Sequence, residues 1–444
     1  MAHLLHGGAQ GSCLGQVRLA ALTLSLSLAG LAGFLPLALA DEGRADGDVA
    51  ASERRLEPGV LPAVSYDSDL GIGLGVIGNI ALIDPAVQPY RWRLSGQAFV
   101  YLDPQTKGPP RIPFQSHYLR LDRPGLAEGK LRVRLELRFQ RQSNAGYYGL
   151  GQGSVLEEPW LGLDEEEDAE AWVAARRFNE YDRIYPALQS EFRLTLPRSF
   201  FAFAGVGVTW NWVEAYSGSR LALDRGGAGG AWVKEQLVGL ERHGTVEGSI
   251  GLAYDSRDNE SAPLRGFFHE LSLRGGALVE IPGGWGGANL TARFYAPFLG
   301  DRLSMAARVI ADLTWGEVPF YELARYGGTE SEEGPGGSMS LRGVPARRYH
   351  GKVKLIGNYE LRSRFLHFDL RGQAASLGAV VFIDAGRVWA DMRPRPELDS
   401  GGKPLAFGVG GGVRFQVGQT FIVRFDLGWS PGDLGIAFDI GHIF

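Results

Sequence analysis

One cysteine occurs in the 444 residues, Cys13, and it precedes an apolar run that begins at Leu19. No intrachain disulfide can form, no cluster of thiolates can hold a metal, and a cysteine in that place is not positioned for lipid attachment. Lysine is scarce, with 6 residues against 39 arginines, and those arginines are scattered along a chain of net charge −5. Without a basic stripe there is no electrostatic case for nucleic acid as a partner. The eight histidines form neither an HExxH motif nor an i, i+4 pair, so neither a metal nor another cofactor is expected. Beyond residue 40 no apolar run is long enough for a membrane helix. Hydropathy alone would therefore describe an exported, soluble chain.

The first 40 residues read as a signal peptide. They carry one Lys or Arg, Arg18, then the run Leu19 to Ala40 that closes on Ala38-Leu39-Ala40, the small-residue pattern a signal peptidase cuts. Gly30, Gly33 and Pro36 weaken the alternative of a lasting anchor helix. Loss of Arg18 takes the net charge to −6. Residues 41–60 then form a short periplasmic extension, and residues 61–444 are expected to form one domain.

What is abundant is alternation. Leu131, Val133, Leu135, Leu137 and Phe139 interleave with Arg132, Arg134, Glu136, Arg138 and Gln140, a period of two that makes a strand with one apolar and one charged face. The pattern recurs at Val413 to Val417 and Phe421 to Trp429. Many runs exceed ten residues, closer to the roughly 9–11 of a membrane-spanning strand than to the roughly 5–6 of an ordinary one. Sixteen runs are counted, from 61–66 to 434–444, with long connections after odd-numbered strands and short ones after even-numbered strands. An even count with that asymmetry predicts an all-β fold: a 16-stranded antiparallel outer-membrane β-barrel with both termini periplasmic. Its 64 glycines suit tight turns and curved strands. The end of the chain, with Phe438, Ile440 and Phe444 at alternating positions, is similar to the C-terminal signal that such barrels present to their assembly machinery.

One helix is expected, Asp164 to Phe178, with acids at its start and Arg176 and Arg177 at its end, as the macrodipole favours. Gly73-Leu74-Gly75-Val76-Ile77-Gly78 fits GxGxxG but runs on as a strand where a dinucleotide site needs a helix. Gly428-Trp429-Ser430-Pro431-Gly432 fits GxSxG, yet Pro431 and an immediate return strand leave no strand-to-helix elbow. No nucleophile, base and orienting group converge, so the chain is not expected to be an enzyme.

The remaining candidates are an arginine and two acids. Alternation on 352–366 places Glu360 on the polar, lumen-facing side, and on the following strand it places Phe382, Asp384 and Gly386 there. The Gly-rich connection before them carries Ser340-Leu341-Arg342-Gly343 and is long enough to fold inward. Gly343 permits close backbone approach, and Arg342 could fork onto both carboxylates. Equally, Arg342 could be a solvated loop arginine while the acids line a wet channel.

These segments resemble the BamA/TamA superfamily, the bacterial surface antigen type of outer-membrane barrel. Leu341-Arg342-Gly343 is similar to that family's loop motif between the eleventh and twelfth strands. Asn358-Tyr359-Glu360-Leu361 and Phe382-Ile383-Asp384-Ala385-Gly386 resemble its partner strands, and Asp255-Ser256-Arg257-Asp258-Asn259 resembles its turn after the eighth strand. The resemblance implies a long loop folded inward and Arg342 received by Glu360 and Asp384. It also implies insertion or transport of protein or lipid cargo, amid outer-membrane lipid and lipopolysaccharide. Such members carry periplasmic POTRA domains, and about twenty residues after Asp41 leave no room for one. The other expectation is a passive channel or surface receptor plugged by the Arg342 loop.

Overall fold

The computed structural model describes residues 54–84, 87–103, 111–164, 167–300, 302–329, 333–370, 372–399, 405–418 and 421–444. The proposed signal peptide, and residues 41–53 of the proposed extension, lie outside them. Sixteen strands follow in chain order: β1 Arg55–Asp67, β2 Gly71–Asp84, β3 Val87–Asp103, β4 Arg111–Leu126, β5 Leu131–Gly146, β6 in two pieces, β7 Phe200–Ala215 and β8 His243–Asp255. Then come β9 Gly266–Val279, β10 Gly284–Pro297, β11 Leu303–Gly316, β12 Val353–Leu370, β13 Gln373–Trp389, β14 Ala406–Val417, β15 Phe421–Ser430 and β16 Asp433–Ile440. Each strand pairs antiparallel with its chain neighbour, and β1 meets β16 to close the barrel.

Strand β6 consists of Glu180–Ile184 and Ala187–Thr195, both lying between β5 and β7. Pro186 falls at the break, where a residue without an N–H can sit in a sheet. The Tyr185 N–H still donates to the Gln140 carbonyl at 2.8 Å, and the Trp210 N–H to the Pro186 carbonyl at 3.0 Å, so the wall is continuous.

Alternation decides which face meets which medium. On β12 and β13, Leu355, Tyr359, Val381 and Ile383 are exposed, while Lys354, Asn358, Glu360 and Asp384 are buried. A soluble protein would invert that arrangement; a barrel in lipid requires it. Among the described residues no helix is long and apolar enough to cross a membrane.

Long connections gather at one end: 147–179, 216–242, 317–352 and 390–405. They pack over that end around a buried cluster that includes Tyr147, Tyr181, Leu221, Val233, Phe320 and Leu323. The helix expected at Asp164 to Phe178 is shorter, α1 Ala169–Arg176, and Glu165 and Glu166 lie outside the described residues. Among the described residues three α-helices went unanticipated: α2 Arg220–Gly226, α3 Ala231–Gln236 and α4 Pro396–Asp399. None exceeds two turns, too short for a helical period to stand out. Helix α2 has local signals at both ends, a Ser219 hydroxyl accepting the Ala222 N–H at 3.3 Å and Gly227 at φ 102°.

Two boundaries differ in ways that matter. The first strand starts at Arg55 and not Leu61, since Arg55 to Val60 pair in register with Ile83 to Gly78 of β2. The last strand ends at Ile440 and not Phe444. The chain turns at Gly441, φ 97°, whose N–H donates to the Ile422 carbonyl at 2.8 Å.

Candidate functional site: a buried arginine clamp

The connection between β11 and β12 brings Arg342 against side chains from β12, β13 and β15. Its Nε donates to Asp384 Oδ2 at 2.8 Å, its Nη2 to Asp384 Oδ1 at 2.9 Å and its Nη1 to Glu360 Oε1 at 2.5 Å. The backbone N–H of Arg342 adds a bond to Asp384 Oδ2 at 3.1 Å. Asp384 thus receives the paired donors of a guanidinium fork, the strongest geometry for this pair. The guanidinium also lies 3.4 Å from the centroid of the Phe382 ring, a cation–π contact in a desolvated place. Arg342 is 2% exposed and both carboxylates 0%. Burial alone would lower the arginine's proton affinity, but Glu360, Asp384 and Asp426 raise it above the ordinary value. Arg342 is therefore charged at every working pH.

Leu341 is fully buried among Ile310, Tyr326, Val344, Ile356 and Val388, and a Cβ at Gly386 would meet its Cδ1 at 3.1 Å. Gly343 sits at φ 85°, with Gly428 and Trp429 backbone atoms 2.7 Å from where its Cβ would be. All seven residues singled out as a clamp, Leu341, Arg342, Gly343, Glu360, Phe382, Asp384 and Gly386, meet in one place.

Other members of the site were not picked out from the sequence. Asn358 donates to Asp384 Oδ1 at 2.8 Å and to the Ser340 carbonyl at 2.6 Å. Arg362 donates to Glu360 Oε2 at 2.7 Å. Asp426 lies 3.6 Å from Arg342 and accepts from Arg414 at 2.6 Å. Alternation puts all of these on the polar face, but it cannot say which polar residues across three strands converge.

The tail is where an expectation fails. Phe438 is buried on β16, Ile440 two residues on is exposed, and Phe444 has left the strand. Its carbonyl accepts from Arg362 Nη2 at 3.1 Å, the Ile443 carbonyl accepts from Arg308 Nη1 at 3.0 Å, and the Phe444 ring packs near Tyr295. Glycine at 441 allows the left-handed turn, and two inward arginines offer donors to the carbonyls that the strand would otherwise have paired. The decoys behave as ordinary strand residues. Gly73 to Gly78 lie within β2, and the Ser430 hydroxyl at the end of β15 donates to the Gly343 carbonyl.

A family model described as the Omp85 superfamily domain matches residues 187–444, more than half of the chain. The chain belongs to the Omp85 superfamily. It is an integral outer-membrane β-barrel, and membership places it among non-enzymatic barrels. Among solved structures it is similar to BamA from Haemophilus ducreyi lacking POTRA domains 1–3, with a TM-score of 0.54 and 13% identity over 87% of this chain and 71% of that one. It is also similar to CdiB from Escherichia coli, with a TM-score of 0.52 and 13% identity over 88% of this chain. The chain spans 63% of the CdiB chain. At such identity these likenesses concern the fold. No curated protein matches the sequence.

The Omp85 loop carries a second buried group of note. His350 is fully buried, both ring nitrogens lack a hydrogen-bond partner, and Tyr147 packs edge-on at 5.1 Å. Burial, with Arg347, Lys354 and Arg348 nearby, pushes its pKa down to about 3. A base depressed in the folded state leaves stability unaffected above its unfolded pKa of about 6.5 and costs stability progressively as pH falls toward the folded value. Between pH 6.5 and pH 3, loop stability is expected to fall, and His350→Phe should flatten that part of the profile. Limited proteolysis across this pH range, wild type against variant, checks it; parallel profiles would refute the assignment.

Proposed function

We propose that the barrel assists the insertion or movement of proteins or lipids at the outer membrane through a weak seam between its first and last strands. The supporting observation is the β1–β16 closure. It consists of the pairs Tyr66–Phe438 and Asp67–Ala437, extended by the Ser68 N–H donating to the Ile436 carbonyl at 2.9 Å. By contrast the adjoining β15–β16 ladder runs from Val423–Ile440 to Ser430–Asp433. From Arg55 to Ser65, β1 has no partner strand but β2 among the described residues, and an edge of that length is a template for an incoming strand. In this reading the start of β1 at Arg55 and the end of β16 at Ile440 face the periplasm, at the short-turn end. The 317–352 loop folds into the lumen, and the Arg342 clamp fixes it there. Ala346 ties it to the β1–β2 turn through an N–H bond to Asp69 Oδ2 at 2.8 Å.

Locking the seam tests this. Asp67 and Ala437 face each other in register, so Asp67→Cys with Ala437→Cys should form a bridge. The oxidised double variant is expected to fail to restore outer-membrane protein and lipid levels in depleted cells, and reductant should rescue it. Full rescue by the oxidised form would sink the seam, and unchanged levels on depletion would sink the function. The passive-channel reading draws support from the cap of long connections. It requires a single-channel conductance that increases in Arg342→Ala.

A further inference from the structure

On the clamp side of the lumen Arg342 is ringed by three carboxylates, Glu360, Asp384 and Asp426; on the opposite wall single carboxylates each hold two arginines. Asp84, at the β2–β3 turn, accepts from Arg54 Nε at 2.9 Å and Arg91 Nη1 at 3.1 Å. Deeper, Asp122 accepts from Arg132 Nε at 2.8 Å and lies 3.6 Å from Arg93 Nη2. Deeper again, Glu136 accepts from Arg120 Nε at 2.5 Å and Arg138 Nε at 2.6 Å. Each carboxylate carries two guanidinium groups, so each triad retains one positive charge. From Arg132 to Arg138 the wall rises about 20 Å along β5 at about 3.3 Å per residue.

The triads climb from the short-turn mouth to a cavity of about 310 Å³ roofed by residues 325–329 of the loop. Five guanidinium groups line it, Arg120, Arg134, Arg138, Arg274 and Arg325, against three carboxylates, Glu136, Glu191 and Glu247. The Nε atoms of Arg134 and Arg274 are buried without an acceptor. Meanwhile the side chains of Arg93, Arg120, Arg132 and Arg138 keep 29–37% of their surface exposed, and their carboxylate partners are nearly buried. The donors face the open lumen; the acceptors are behind them.

We infer that the β3–β6 wall and this cavity form a binding site for a phosphate-bearing ligand that enters from the short-turn mouth. Planar guanidinium forks match phosphate oxygens in pairs, and a row of net positive triads in a confined lumen concentrates anions ahead of the site. The inference goes beyond the seam and does not depend on it. The phosphate could come from a soluble phosphoester or a lipid headgroup.

The test uses the full barrel in phosphatidylcholine nanodiscs, its folding confirmed by heat-modifiable gel mobility. One arm titrates inorganic pyrophosphate by calorimetry at low salt; the other measures phosphatidylglycerol retained after detergent extraction from mixed nanodiscs. Arg134→Gln removes a guanidinium from the cavity. The triple change Arg120→Gln, Glu136→Gln, Arg138→Gln removes one triad without leaving an unpaired charge. Saturable binding is expected in at least one arm, weakened about tenfold or more by each variant and by raised salt. Pyrophosphate binding alone identifies a soluble ligand, and lipid retention alone a headgroup. An absence of binding in both arms, or binding that both variants leave unchanged, overturns the site.

Discussion

Arg342→Ala is expected to destabilise the folded barrel by about 3–5 kcal/mol, the cost of leaving buried charge uncompensated. The two acids do not suffer equally. Glu360 keeps Arg362 at 2.7 Å after the arginine side chain is gone, whereas Asp384 keeps only neutral donors, Asn358 at 2.8 Å and the residue-342 backbone N–H at 3.1 Å. Asp384 is thus the charge left stranded. It follows that Asp384→Asn in the Arg342→Ala background should restore more stability than Glu360→Gln in the same background. The conservative Arg342→Lys holds the charge but loses the fork onto Asp384 and should fall between wild type and alanine. Denaturant unfolding of the reconstituted barrel, followed by heat-modifiable mobility, gives the ranking. If Glu360→Gln rescued better, the partition of charge within the clamp would be wrong.

Much of this was legible from period and phase. Alternation over β5, β12 and β13 identified the faces, and Glu360 and Asp384 emerged on the polar one because a strand's side chains have a period of two. The fork of Arg342 onto Asp384 was open to more than one reading, because a 36-residue connection has no period to fix where its arginine goes. Resemblance of Leu341-Arg342-Gly343 and the two partner strands to a family supplied that step. The inward turn of Phe444 was invisible for a different reason. Ile436, Phe438 and Ile440 alternate correctly, and nothing local distinguishes the position where the alternation stops except Gly441. Its donors, Arg308 and Arg362, lie more than eighty residues away in the chain.

Glycine was the composition signal most easily misread. Sharp turns and strand curvature account for many of the glycines, but Gly408, Gly410 and Gly412 lie inside β14 at alternate positions on its inward face. A Cβ at Gly408 would fall 1.8 Å from the Arg342 carbonyl oxygen, at Gly410 2.5 Å from the Phe382 ring, and at Gly412 2.1 Å from Asp426 Oδ1. Three members of the clamp therefore rest on a wall stripped of side chains.

Gly408→Ala is accordingly expected to act on the loop as strongly as Arg342→Ala does, without altering a single charge. The obstacle is a backbone carbonyl, which cannot rotate away as a side chain would. The 342–343 segment must lift from a seat that continues along the same wall to Gly428 and Gly435, whose Cβ positions would lie 2.7 and 3.0 Å from the Gly343 nitrogen. Overpacking in a well-fitted core costs about 1–3 kcal/mol when neighbours can adjust; here the adjustment also lengthens the bonds from Arg342 to Asp384, so the upper end or beyond is expected. Gly357→Ala is the matched control: it lies on β12 beside Asn358, and a Cβ there meets nothing within 4 Å. Proteolytic cleavage within 317–352 should accelerate in Gly408→Ala and remain at the wild-type rate in Gly357→Ala. Equal rates in all three proteins would mean that the loop does not depend on its seat against β14. In that case the clamp's charges alone would have to hold it.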